Sequence, residues 1–263
     1  MRLLVSKIKQ HSIASIITFW LLMFVFDEFI SSPLIGLIKA PDIVLDVIFK
    51  TLELTAGILF NQWLTRQPIH WRAAIGKNSI IMLAIMAAIM VGATVSKLNN
   101  LADATIVAVI AAGPEEFLFR GVIFASLLAN LKIQALPHRV WAAILLSSAM
   151  FSLYHFGNIV DQGLYFTLMQ MIEAFGMGCL LSALYVRKGS LLFPMVLHGF
   201  IDYTITVTQG YATVITSAGN PAGTLLAAIF HMVLYIGLAV LICKPDSDSQ
   251  LRGQVVAVAG RDV

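Results

Sequence analysis

Charge is what this chain has least of. Only 12% of its 263 residues are Asp, Glu, Lys or Arg, while 59% are apolar, and the mean hydropathy is +0.88. Soluble domains run near ~25% charged, and no soluble core of this length hides so much apolar surface. A polytopic membrane protein is indicated. Cysteine is nearly absent too. Cys179 and Cys243 lie in apolar segments without metal-type spacing, which excludes a disulfide framework and leaves both as reduced core residues. A net charge of +3 is too slight to imply a nucleic-acid partner. Internal repeats, low-complexity tracts and a separate soluble domain are also missing. Residues 1–263 are read as a single integral membrane domain.

What the chain has instead is long apolar runs. A spanning helix needs about 20 apolar residues. Eight segments qualify: 12–38, 42–64, 79–96, 101–130, 140–159, 163–186, 190–209 and 222–243. The expected fold is therefore all-α, a polytopic membrane protein of about eight transmembrane helices around a water-accessible polar cavity. Pro41, Pro68, Asn99-Asn100, Pro137, Gly157-Asn158, Lys188-Gly189 and Gly219-Asn220-Pro221 punctuate the breaks. Arg2, Lys7 and Lys9 ahead of the run from Ile13 to Phe26 imitate a signal peptide. The run lacks a small-x-small cleavage site and continues past Asp27-Glu28 to Ile38, so an uncleaved first helix is expected. The remainder, 244–263, reads as a short, polar, mobile cytoplasmic tail.

The basic residues test this count. With the N-terminus in the cytoplasm, the cytoplasmic segments are those before residue 12, at 65–78, 131–139 and 187–189, and after 243. They hold thirteen Lys and Arg, whereas the opposite loops hold only Lys39 and Lys97. That asymmetry satisfies the positive-inside rule, and dropping one helix scrambles it. Both termini are expected in the cytoplasm, and the compact chain suits a bacterial plasma membrane.

Against this apolar background the charges inside the spans stand out, since each costs at least ~2.5 kcal/mol at the bilayer centre. Three fall within Pro114-Glu115-Glu116-Phe117-Leu118-Phe119-Arg120. On a helix Glu116 and Arg120 face each other, while Glu115 is turned ~100° away. Arg120 is expected to neutralise and orient Glu116, leaving Glu115 free for a water or a metal. The bland alternative is an internal ion pair that fixes helix packing. Gly113-Pro114 just before is a natural place for a kink that admits water. His155 ends the fifth segment. His198 lies inside the seventh, four residues before Asp202, whose carboxylate can accept from the ring. Glycines beside His198 and in Gly176-Met177-Gly178 permit close helix approach. Asp46, Lys50 and Glu53 have the spacing to neutralise one another. Asp27-Glu28 lines a cavity or an interface. Glu173 has no local partner and is a candidate for a supporting or substrate-channel role.

Glu115-Glu116-x-x-x-Arg120, then Phe151-x-x-x-His155, then His198-x-x-x-Asp202 resembles the CPBP family (CAAX protease and bacteriocin-processing, or Abi) of intramembrane glutamic-type proteases. The resemblance covers about 101–209, the catalytic-motif core. It implies a helical membrane fold with a conical cavity that admits water and a peptide. It also implies Glu115 as general base, His155 helping to hold the water, His198 and Asp202 at the oxyanion-stabilising positions, and Glu116 and Arg120 shaping the site. The family's last motif position is Asn or Asp. An ionised Asp202 would repel an oxyanion, so it is expected either to be protonated or to accept from His198 and hold that ring as a donor.

The function this implies is a membrane-embedded endopeptidase hydrolysing a peptide bond with a glutamate-activated water, its partners a membrane protein or peptide substrate and the lipid bilayer. No cofactor is preferred, in line with the metal-free mechanism favoured for the family. The alternative is Zn2+ on Glu115, His155 and His198 with water in the fourth place. The chain has no GxSG, GxGD or HExxH motif, which sets aside other membrane proteases. Two further classes stay open: a non-catalytic immunity or scaffold protein of the same fold, and an ion or proton transporter using Glu115, Glu116 and Glu173. One expectation sits awkwardly. At 1.5 Å per residue, Glu115 and His198 fall near the bilayer middle, whereas His155 falls nearer the outer end of its helix.

Overall fold

The computed structural model of the protein describes residues 12–72, 75–212, 221–244 and 248–260, so Arg2, Lys7, Lys9, Arg261 and the Gly219-Asn220 break lie outside the described residues. All eight apolar segments are helical, and no strand occurs among the described residues. Among the described residues the α-helices longer than one turn are α1 (Ile13–Phe26), α2 (Asp42–Phe60), α3 (Lys77–Val95), α4 (Leu101–Glu116), α5 (Ala125–Asn130), α6 (Leu136–Tyr154), α7 (Ile159–Lys188), α8 (Leu192–Gln209), α9 (Pro221–Ile242) and α10 (Asp248–Ala259). Four helical stretches, Ile13–Ile35, Lys77–Val95, Leu136–Lys188 and Gly223–Ile242, are long and apolar enough to cross a membrane. The protein is an integral membrane protein.

Its surface shows the same thing physically. Leu37, Val91, Leu226, Leu241 and Val160 are all strongly exposed, an apolar exterior that only lipid satisfies. The interior is built on one unbroken stretch: every residue from Glu116 to Leu128 is buried. This stretch is not a plain α-helix. Pro114 lies inside α4 and supplies no backbone donor, and from Phe117 to Phe124 the chain runs as a π-helix before α5 resumes. Helix α4 runs on through Gly113-Pro114, where a kink is expected from the sequence, and the widened turn begins three residues after the proline, at Phe117. Such turns recur at functional sites, and this one carries Arg120.

Helix α8 lies along α4, α2 packs on α4, and α7 packs against both α6 and α9. Glycine permits the closest crossings. A Cβ on Gly199 would stand 2.8 Å from the Ala108 carbonyl oxygen of α4, and one on Gly178 2.9 Å from Ser148 of α6. At Gly176 it would stand 2.6 Å from the Met232 backbone of α9.

The tail departs from expectation. Residues 248–259 form a helix whose Leu251, Val255, Val258 and Ala259 are buried, and it packs on α5, α6 and α7. Leu251, Val255 and Val258 recur at i, i+4 and i+7, one helical face, a periodicity that mean hydropathy does not register.

Candidate active site

The π-helical turn after α4, the end of α6 and the middle of α8 meet around one aromatic ring, Phe151 of α6. The Arg120 guanidinium lies over its face at 4.3 Å. The His155 ring meets it edge-on at 4.7 Å, the His198 ring at 6.3 Å and the Phe119 ring at 4.9 Å. A cation against a desolvated aromatic face is worth about 2 kcal/mol, so Phe151 shares with Glu116 the task of keeping a buried arginine. Helix α6 ends at Tyr154, and His155 opens a 3-10 turn with its Nδ1 2.9 Å from the Phe151 carbonyl. That turn brings His155 into electrostatic reach of Glu115 and His198.

Glu116 and Arg120 form the expected pair, Oε1 to Nη1 at 2.9 Å, with both side chains buried. Glu116 does more than balance the arginine. The same Oε1 is 2.9 Å from His198 Nδ1, and an oxygen already accepting from Arg120 is an acceptor for the ring as well, so Nδ1 donates. His198 Nε2 then faces two carboxylates, Asp202 Oδ2 at 3.3 Å and Glu115 Oε2 at 3.8 Å. With Nδ1 carrying a proton, two states satisfy the Asp202 contact. Either a neutral ring accepts from a protonated Asp202, or a cationic ring donates to an ionised one. These are the two states expected from the sequence, now narrowed to a single contact.

Glu115 is not free. Its Oε1 accepts from Lys50 Nζ of α2 at 2.9 Å, and Lys50 also lies 2.9 Å from Glu53 Oε2. The expected Asp46–Lys50–Glu53 set is therefore split. Asp46 instead accepts from Tyr211 at 2.6 Å. Sequence reasoning placed no residue of α2 in the site, and the available signal was a lysine and a glutamate in the middle of an apolar helix. The other acids also find partners. Asp27 accepts from the Tyr154 hydroxyl, which ties α1 to α6, and Glu173 of α7 meets His231 Nδ1 of α9 at 2.6 Å.

The site is graded in exposure. Glu53, Glu116, Arg120 and His198 are sealed, whereas Glu115, Lys50 and Asp202 keep 14–20% of their side chains accessible. Zinc on Glu115, His155 and His198 does not suit this donor set. One oxygen of the Glu115 carboxylate faces the Lys50 ammonium, a neighbour that repels a dication. Among the described residues no three His, Cys, Asp or Glu side chains gather as a metal group.

Residues 96–204 match the family model described as type II CAAX prenyl endopeptidase Rce1-like. No curated protein matches the chain, and no solved structure does. The matched stretch contains Glu115, Glu116, Arg120, His155, His198 and Asp202. Lys50 and Glu53 lie outside it.

Proposed function

From a chain whose residues 96–204 carry the Rce1-like, CAAX-protease signature, we propose a membrane-embedded endopeptidase that hydrolyses a peptide bond with water activated by Glu115. The observation that carries the reading is the accessible carboxylate of Glu115 beside His198, with the sealed Glu116–Arg120 pair behind it. In the reaction Glu115 Oε2, the oxygen not held by Lys50, takes a proton from water as the water oxygen bonds to the amide carbon. His155 helps hold that water. The carbonyl π electrons move onto oxygen, and His198 with Asp202 stabilises the oxyanion. Each preorganised donor at such a position is worth about 3 kcal/mol. When the oxyanion collapses, the C–N bond breaks and the proton on Glu115 passes to the departing nitrogen. Catalysis is metal-free in this reading. The substrate is a membrane protein or peptide reaching the site from the bilayer, a prenylated CAAX terminus among the candidates. The membrane is a bacterial plasma membrane.

The test compares new protein N- and C-termini in cells carrying the wild type or Glu115→Ala at equal expression, followed by cleavage with purified protein in detergent. Fragments that require Glu115 and survive a chelator are expected. Identical termini in both cells overturn the protease reading in favour of a non-catalytic one. Cleavage abolished by chelator and restored by zinc overturns its metal-free part.

A further inference from the structure

Lys50 is the only cation in α2, half-buried where that helix packs on α4. Its ammonium lies 2.9 Å from one oxygen of Glu115 and 2.9 Å from one oxygen of Glu53, whose side chain is fully buried. A lysine that only balanced Glu53 would need no second carboxylate from another helix. A lysine that bridges both does something further: it ties down Glu115 Oε1 and leaves Oε2 turned toward His198 Nε2. Resting on the protease reading above, we propose that Lys50 is a positioning residue for the catalytic carboxylate, with Glu53 as the fixed support that orients Lys50. Lys50 touches neither the attacking water nor the substrate in this role. It selects which oxygen of Glu115 does the chemistry and restricts its rotation. A reacting group misplaced by about 1 Å can cost about a hundredfold in rate, so the effect belongs in kcat rather than in KM.

A lysine beside a buried glutamate also has a simpler account, neutralisation, and the two separate experimentally. Lys50→Met strands Glu53 as an unpaired buried charge, which is destabilising by itself. The double variant Lys50→Met/Glu53→Gln removes that charge and leaves only the loss at Glu115. Cleavage of a peptide substrate is measured for the wild type, Glu115→Ala, Lys50→Arg, Lys50→Met and the double variant, each with its thermal unfolding midpoint in detergent. The expected result is a double variant that unfolds near the wild-type temperature, keeps its KM and loses about a hundredfold in kcat, with Lys50→Arg recovering part of that loss. A double variant with wild-type kcat overturns the inference and leaves Lys50 a counter-ion for Glu53. A wild type whose cleavage is indifferent to Glu115→Ala overturns the protease reading itself, a distinct failure visible in the same assay. A double variant that fails to fold despite its balanced charge also overturns the inference, because Lys50 is then required for the structure.

Discussion

At the scale of the residue, the site works by sharing charges, so that Glu116, Lys50 and Arg120 each have more than one partner. Glu116 serves Arg120 and His198, Lys50 serves Glu53 and Glu115, and Arg120 has both a carboxylate and the face of Phe151. In low dielectric an unpaired charge is far costlier than a paired one, which explains why the polar groups interlock rather than stand alone. His198 is the residue most constrained by its neighbours. A ring donating through Nδ1 and facing Asp202 through Nε2 needs one proton at that second contact. Asp202→Asn supplies it from a carboxamide N–H and is expected to keep at least about a tenth of wild-type kcat. Asp202→Ala supplies nothing, leaves the His198 ring unheld at Nε2, and is expected to lose about a hundredfold, the scale of a misplaced reacting group. An Asn variant as slow as the Ala variant would show that the negative charge of Asp202 is itself required.

At the scale of the element, two local departures from regular helix create the site. The π-helical stretch Phe117–Phe124 follows Pro114 and begins just after the two glutamates, widening the turn that carries Arg120. The 3-10 turn after Tyr154 brings His155 back beside Phe151. The third device is Gly199, which lets α8 approach α4 closely enough for His198 to reach Glu116. Gly199→Ala drives a Cβ to 2.8 Å from a backbone carbonyl oxygen, and a backbone atom cannot swing aside as a side chain can. The variant is expected to unfold at lower temperature and to lose cleavage, since a crossing opened by a few tenths of an ångström lengthens the His198–Glu116 bond. Gly237→Ala, with nothing within 4 Å of the added methyl, is the matched control and is expected to behave as wild type. Equal behaviour of the two in thermal unfolding would remove the close-crossing argument.

At the scale of the whole molecule, a small polar centre sits inside an apolar core, the exterior is apolar, and contacts join the segments at each end of the bundle. At one end the 65–78 segment, the 187–189 loop and the tail meet: Leu191 N donates to His70 O, Lys188 reaches Ser79, and Gln67 bonds to Ala259. At the other, Asn100 reaches Val207 and Tyr211 reaches Asp46. Segments assigned to one side by counting Lys and Arg are thus neighbours in space. With the basic end in the cytoplasm, epitope tags at both termini should be accessible to antibody only after the cells are permeabilised. A tag stained on intact cells would reverse that assignment.

Much of this was legible in the amino-acid order. Hydropathy marks eight segments that are helical, four of the helical stretches being long and apolar enough to span, and i, i+4 spacing places Glu116 against Arg120 and His198 against Asp202, because such pairs lie on one face of a helix. The spacing could not reveal Lys50 on Glu115, since the two are 65 residues apart and only the packing of α2 on α4 joins them. Nor could it reveal Phe151 as the common floor under Arg120, His155 and His198, which arrive from three helices. The docked tail helix was missed for a different reason: its apolar residues are periodic but sparse. Sequence by itself determined which groups are buried in the membrane and which of them pair within a helix. Tertiary structure alone decided the pairs between helices, because these depend on crossing points and kinks that no local pattern encodes.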